Sequence, residues 1–202
     1  MRRMTLALHA VGLVAALACG AAWAQADEAR ARKIVMGSCF VCHGAEGESS
    51  SEDFPRLAGQ HAQYIAKQLD HFKSGKRKSS AMAPMVAKLT PDEMMAIGLY
   101  FEKQVPPVEP PKDAALAAAG REIYQRGNVA SGVLACVTCH GEQGRGTAQL
   151  PRLASQFASY TENQLKTFHK RERTNDNAVM QVVAQKMTPQ DMAAVAEYLS
   201  GK

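Results

Sequence analysis

Aromatic residues are scarce in this chain: Phe, Trp and Tyr make up 6% of 202 residues, with a single tryptophan at Trp23. Few large rings leave little bulk for filling a core. Long apolar runs are scarcer still. The one candidate extends from Thr5 to Ala18, broken by His9 and Gly12, and is too short for a comfortable membrane span. No segment alternates polar and apolar side chains convincingly enough for a strand. No basic stripe exists either: residues 25–104 hold 11 basic and 10 acidic side chains, and residues 105–202 hold 11 and 9. That balance excludes nucleic acid as a favoured partner.

Two arginines, Arg2 and Arg3, precede the apolar run, and Ala22-Trp23-Ala24 follows it. Positive start, short apolar core and A-x-A site describe a secretory signal peptide over residues 1–24. Removing 24 of 202 residues leaves 178, lowers the net charge from +5 to about +3, and takes away one of five cysteines. An exported, periplasmic chain is expected, and four cysteines there could form two disulfides. Their positions argue for other chemistry.

The remainder repeats itself. Cys39-Phe40-Val41-Cys42-His43 matches Cys136-Val137-Thr138-Cys139-His140 at an offset of 97. Pro55-Arg56-Leu57-Ala58 matches Pro151-Arg152-Leu153-Ala154, offset 96, and Met82, Thr90-Pro91 and Tyr100 match Met180, Thr188-Pro189 and Tyr198, offset 98. A period this long means two tandem domains rather than a solenoid. Four prolines within 105–111 favour an extended, stiff connector. The expected layout is a lobe at 25–105, a linker at 106–112 and a lobe at 113–202. Both lobes read as all-α. Helices are expected before the cysteines, at 60–72 and 155–168, and after Thr90-Pro91 and Thr188-Pro189, where a threonine N-cap and a proline at the first position start a helix well.

C-x-x-C-H is the attachment signal for c-type haem. Two thiols one helical turn apart reach the two vinyl groups of one porphyrin, and the next residue, His43 or His140, points an imidazole at the iron. Zinc is the weaker reading, since each separate lobe offers only three ligands close together. A thioredoxin-type motif lacks its βαβ setting. A methionine on the opposite face raises the reduction potential and suits electron transfer. Among several methionines only two pairs fall in register. Met94 and Met192 lie on the apolar side of the last helix and read as core. Met82 and Met180, each eight residues before the Thr-Pro start in what reads as a loop, are the expected iron ligands, with Met85 the local rival. His61, His71 and His169 have no histidine counterpart in the other copy, which disfavours bis-histidine ligation.

Together, Cys-x-x-Cys-His, Gly-x-x-Gly, Pro-Arg-Leu-Ala-x-Gln, a helix and a late methionine resemble class I cytochromes c. Two such lobes in tandem resemble the di-haem cytochrome c4 family, and Arg171-Glu172-Arg173-Thr174-Asn175-Asp176 is similar to that family's second lobe. The resemblance implies two all-α lobes packed face to face around two covalently attached haem c groups. It implies that the carbonyls of Pro55 and Pro151 accept the second N–H of His43 and His140, and that Arg56 and Arg152 lie near haem propionates. It implies an electron carrier rather than an enzyme. Its partners would be redox proteins and membrane respiratory complexes such as a terminal oxidase, with transient association at the membrane surface left open. The alternatives are a haem subunit of a dehydrogenase or flavoprotein complex, and a di-haem peroxidase. The first lobe departs from the pattern in its first helix, where Ala31 and Val35 stand where the second lobe has Gly120 and Tyr124. The charged loop from Lys73 to Lys78 reads as peculiar to the first lobe, a solvated segment or a docking patch for an acidic partner.

Overall fold

The structure is a computed structural model and describes residues 27–202; the expected signal segment lies outside the described residues. Two capping boxes fix the last helix of each repeat. Thr90 Oγ1 accepts from the Glu93 N–H at 3.2 Å while Glu93 Oε2 accepts from the Thr90 N–H at 2.8 Å, which starts α5 (Pro91–Glu102). Thr188 and Asp191 repeat this at 3.1 and 2.8 Å to start α10 (Pro189–Ser200). Each box satisfies two donors that a helix start leaves open, stabilising it by about 1 kcal/mol.

Helical spacing then delivers one apolar face inward. Met94, Ile97 and Phe101 of α5 join Val35, Ile65, Leu69 and Val86 in one core. Met192, Val195 and Leu199 of α10 join Tyr124, Val133, Leu165, Met187 and Tyr198 in the other. Met94 and Met192 are therefore core side chains, 3% and 2% exposed.

The remaining helices follow the repeat. The chain is helical at 27–34 (α1), continues through a π-helical turn at Val35–Cys39 and ends in α2 (Phe40–His43). Next come α3 (Ala62–Lys73) and α4 (Met82–Val86). The second copy comprises α6 (Ala114–Arg126), α7 (Val137–His140), α8 (Ala158–His169) and α9 (Val179–Ala184) before α10. No strand forms among the described residues; one isolated bridge joins Asn128 and Val133. That bridge closes the extra residues near 127–134, so the second lobe turns before its cysteines where the first runs on helically.

The first-helix difference has a packing reason. In the second lobe α6 crosses α10 so closely that a Cβ on Gly120 would lie 1.8 Å from the Ala194 carbonyl oxygen. Tyr124, fully buried, donates its hydroxyl to the Gly141 carbonyl at 2.6 Å. In the first lobe Ala31 and Val35 are fully buried with no polar atom to place, and Tyr100 instead donates to the Ala45 carbonyl at 2.9 Å. Tyr198, at the place of Tyr100, packs 5.4 Å from the Tyr124 ring, and its buried hydroxyl finds no partner among the described residues.

The lobes meet through a reciprocal pair of amides. Gln60 accepts from the Arg152 N–H at 2.8 Å and donates to the Arg152 carbonyl at 2.9 Å. Gln156 does the same to Arg56, at 2.9 and 3.0 Å. Each side chain completes the backbone of the opposite lobe as a strand neighbour would, so an approximate two-fold relates the halves. The proline-rich connector packs onto both, with Pro106 against Gly59 and Pro111 against Gly201.

Candidate functional site

Each C-x-x-C-H segment is a short helical turn whose histidine ends buried. His43 and His140 are 7% and 6% exposed. Glycine closes each turn: Gly44 and Gly141 have φ of 79° and 75°, a backbone state that a side chain resists. A loop follows, closed by the same pair of hydrogen bonds in both copies. The Gly47 carbonyl accepts from Leu57 and Ala58 N–H groups at 2.7 and 3.1 Å, and the Gly144 carbonyl from Leu153 and Ala154 at the same distances. This loop brings proline back over the histidine. His43 Nδ1 lies 2.9 Å from the Pro55 carbonyl oxygen, and His140 Nδ1 lies 3.1 Å from that of Pro151. With Nδ1 as donor, Nε2 is left with its lone pair for a ligand bond.

Burial holds both imidazoles below the ordinary histidine range, while the proline carbonyls pull the other way. They are neutral at pH 7, the form that binds iron. The cysteines also fit attachment better than redox catalysis. None of the four described cysteines is paired in a disulfide. Burial pushes Cys136 up to about 11 and raises Cys39. A thioredoxin-type nucleophile needs the opposite shift. Zinc fares no better: among the described residues no group of three or more His, Cys, Asp or Glu side chains converges.

Met82 and Met180 both pack at the edge of their lobe's core, partly buried. They do not sit in open loops as expected. Met82 opens α4, and Met180 lies in the first turn of α9. Met85 is 51% exposed. The odd histidines are engaged elsewhere. His61 Nε2 lies 2.7 Å from the Arg145 carbonyl, His71 Nδ1 lies 2.8 Å from Asn175 Nδ2, and His169 Nδ1 lies 2.9 Å from the Ala184 carbonyl.

The arginines are placed less evenly. Arg56 is 6% exposed and acts as a bracket between lobes. It donates to the carbonyls of Glu48 at 3.2 Å, Pro107 at 3.4 Å and Ser155 at 2.9 Å, pairs with Glu109, and lies 4.1 Å over the Phe157 ring. Arg152 uses Nε on the Ala154 carbonyl at 3.2 Å, and its terminal nitrogens have no partner among the described residues.

Two further arginines occupy the interface. Arg77 belongs to the charge run from Lys73 to Lys78 that reads as a solvated segment or docking patch peculiar to the first lobe. It is instead drawn into the interface and does have a counterpart, Arg173. Arg77 crosses over to Tyr160 Oη at 3.0 Å and Gln164 Oε1 at 2.9 Å. Arg173 crosses back to Tyr64 Oη at 3.0 Å and Gln68 Oε1 at 3.2 Å. Each guanidinium stacks on its own lobe's ring, Phe72 at 4.7 Å and Phe168 at 4.5 Å.

Neither Arg77 nor Arg173 pairs with a carboxylate among the described residues. Two cations held among neutral partners are costly without an anion. The local field shows at Tyr64: burial raises its hydroxyl, but Arg173 and Arg77 outweigh burial and hold it below the usual tyrosine range. A donor set this rich in guanidinium and poor in acid fits a group that brings its own carboxylates, as the propionates of a haem do.

Comparison with known proteins agrees. The family model for cytochrome c matches residues 28–104 and again 117–201. The chain is 40% identical over 181 residues to cytochrome c4 of Thiocapsa roseopersicina, covering 88% of this chain and 91% of that protein. The crystal structure of reduced recombinant cytochrome c4 from Pseudomonas stutzeri superposes with a TM-score of 0.81 at 35% identity, covering 86% of this chain and 97% of that one. A protein of Thiomonas intermedia (strain K12) described as a thiosulfate dehydrogenase electron acceptor is 36% identical over 186 residues, covering 89% of this chain and 85% of that protein. The chain belongs to the di-haem cytochrome c4 family: it carries two covalently bound haem c groups and passes electrons between redox partners rather than transforming a substrate.

Proposed function

We propose that the chain is a periplasmic electron carrier with two closed, methionine-capped haem sites. One lies in a lobe at 25–105 and the other in a lobe at 113–202, joined by the linker at 106–112. Cys39 and Cys42 form the thioethers of the first haem, with His43 and Met82 as its iron ligands. Cys136, Cys139, His140 and Met180 serve the second. When bound, the haem supplies the ferric–ferrous couple. The protein's own residues do the rest. The prolines fix the imidazole rings, burial keeps those rings neutral, and Arg77, Arg173 and the free end of Arg152 neutralise propionate charge. Arg56 ties the lobes together, with its donors largely spent on the chain itself.

The observation that carries this reading is duplication of the whole constellation. Buried imidazole, proline carbonyl and partly buried methionine recur in both lobes. A catalyst working at one open iron would need only one of its sites closed. Export rests on the signal-like segment. No helix among the described residues is long and apolar enough to cross a membrane.

The likeness to a thiosulfate dehydrogenase electron acceptor supports an oxidising enzyme as donor, and a terminal oxidase is the proposed destination. Stopped-flow mixing tests both ends. Thiosulfate with its dehydrogenase should reduce both haems, and oxidase-containing membranes should reoxidise them. Failure of reduction removes that donor, and failure of reoxidation removes that acceptor. Replacing Met82 or Met180 by alanine should abolish the far-red ferric charge-transfer band of one haem only. Retention of the full band in both variants contradicts the ligand assignment.

A further inference from the structure

The two methionine turns are capped by different chemistry. In the first lobe the Met82 N–H donates to the Ser79 hydroxyl at 3.2 Å, and Ala81 ahead of it has an ordinary right-handed φ of −74°. In the second lobe two consecutive non-glycine residues, Asn177 and Ala178, are left-handed, with φ of 56° and 67°. Such a state is uncommon for alanine and persists only where surrounding contacts hold it. The carboxylate of Asp176 spans the turn. It accepts from the Met180 N–H, and at 3.3 Å from both the N–H and the side-chain amide of Gln181. No arginine or lysine pairs with Asp176 among the described residues.

We propose that Asp176 is a positioning residue for the second haem: it holds the left-handed turn that presents Met180, and its fixed negative charge lowers that haem's reduction potential. This rests on Met180 being the ligand. An oxidised haem carries one more positive charge than a reduced one, so an anion beside it favours the ferric form. Ser79 supplies a hydrogen bond without a charge. Two irons with the same ligand pair thus acquire different electrostatic settings from one residue beside the ligand turn.

Holoprotein variants at Asp176 test this by redox titration with the two haems resolved by NMR. Asp176→Asn keeps an acceptor oxygen and removes the charge. It should retain the far-red band of both haems and shift the second haem's ferric–ferrous equilibrium three- to tenfold toward ferrous, about 28 to 59 mV at 59 mV per tenfold for one electron. The first haem's midpoint should stay in place. Asp176→Ala should weaken the second haem's band, and Asp176→Ser should restore the band without returning that haem's midpoint to its native value. An unmoved second midpoint in Asp176→Asn, or equal shifts in both haems, overturns the proposal. Met180→Ala tests the underlying ligand reading separately: loss of the second haem's band upholds it and retention removes it, whatever Asp176 does.

Discussion

Truncating Gln60 to alanine should weaken the union of the lobes more than the loss of one surface side chain would. Gln60 is 8% exposed, and both ends of its amide are used on the Arg152 backbone, at 2.8 and 2.9 Å. Each bond contributes about 0.5–1.5 kcal/mol net, and truncation also leaves an N–H and a carbonyl facing a void too tight to hydrate freely. The sum is about 2–3 kcal/mol. Gln156 makes the mirror-related pair with Arg56, so Gln156→Ala should cost about the same. Guanidinium titration of the holoprotein, followed by haem absorbance and far-UV circular dichroism, measures both. The double variant should broaden the single cooperative transition or begin to split it, because four of the bonds that couple the lobes are gone while each core and the Arg77 and Arg173 contacts are untouched. A loss under about 0.5 kcal/mol for Gln60→Ala would place it among ordinary surface substitutions. It would refute the idea that these amides hold the halves together.

Gly120→Ala should lower the thermal midpoint of the second lobe, since its Cβ would meet the Ala194 carbonyl at 1.8 Å and helix backbone must move; the cost is about 1–3 kcal/mol, and an unchanged midpoint in calorimetry contradicts the close crossing. Acidification should destabilise the interface through His71. Burial, then Lys76, Lys67 and Arg173, hold its imidazole below the ordinary histidine value of 6.5, with Asp70 opposing. Its lowered folded value means that stability is full above 6.5 and declines as pH falls through the folded pKa. Asn175 donates its amide N–H to an unprotonated Nδ1 in this contact. The thermal midpoint should therefore fall between pH 7 and pH 5, and fall less in His71→Gln.

Much of this architecture could be read from spacing alone, because a tandem copy acts as an internal control. Cys39 to His43 and Cys136 to His140 name the attachment points, and Thr90-Pro91 and Thr188-Pro189 name the last helices. Register picked out two methionine pairs, and helical position set Met94 and Met192, which lie in the cores, apart from Met82 and Met180. Interface chemistry was harder. Arg56 sits in a motif that resembles a propionate contact, yet its neighbours Pro107, Glu109 and Ser155 come from the connector and the other lobe. Nothing local announces that packing. Arg77 had a legible signal that loop charge obscured: it follows Phe72 by five residues, as Arg173 follows Phe168. Three exposed lysines beside it made the segment look like a solvated loop. The left-handed pair Asn177-Ala178 was not legible, since alanine gives no hint of positive φ.

Carbon monoxide added to the fully reduced native protein at neutral pH tests the central claim most directly. With an imidazole and a thioether on each iron, the visible spectrum should stay unchanged over minutes. Rapid appearance of a carbonyl adduct at either haem would mean an open coordination position, and would contradict a molecule built only to pass electrons.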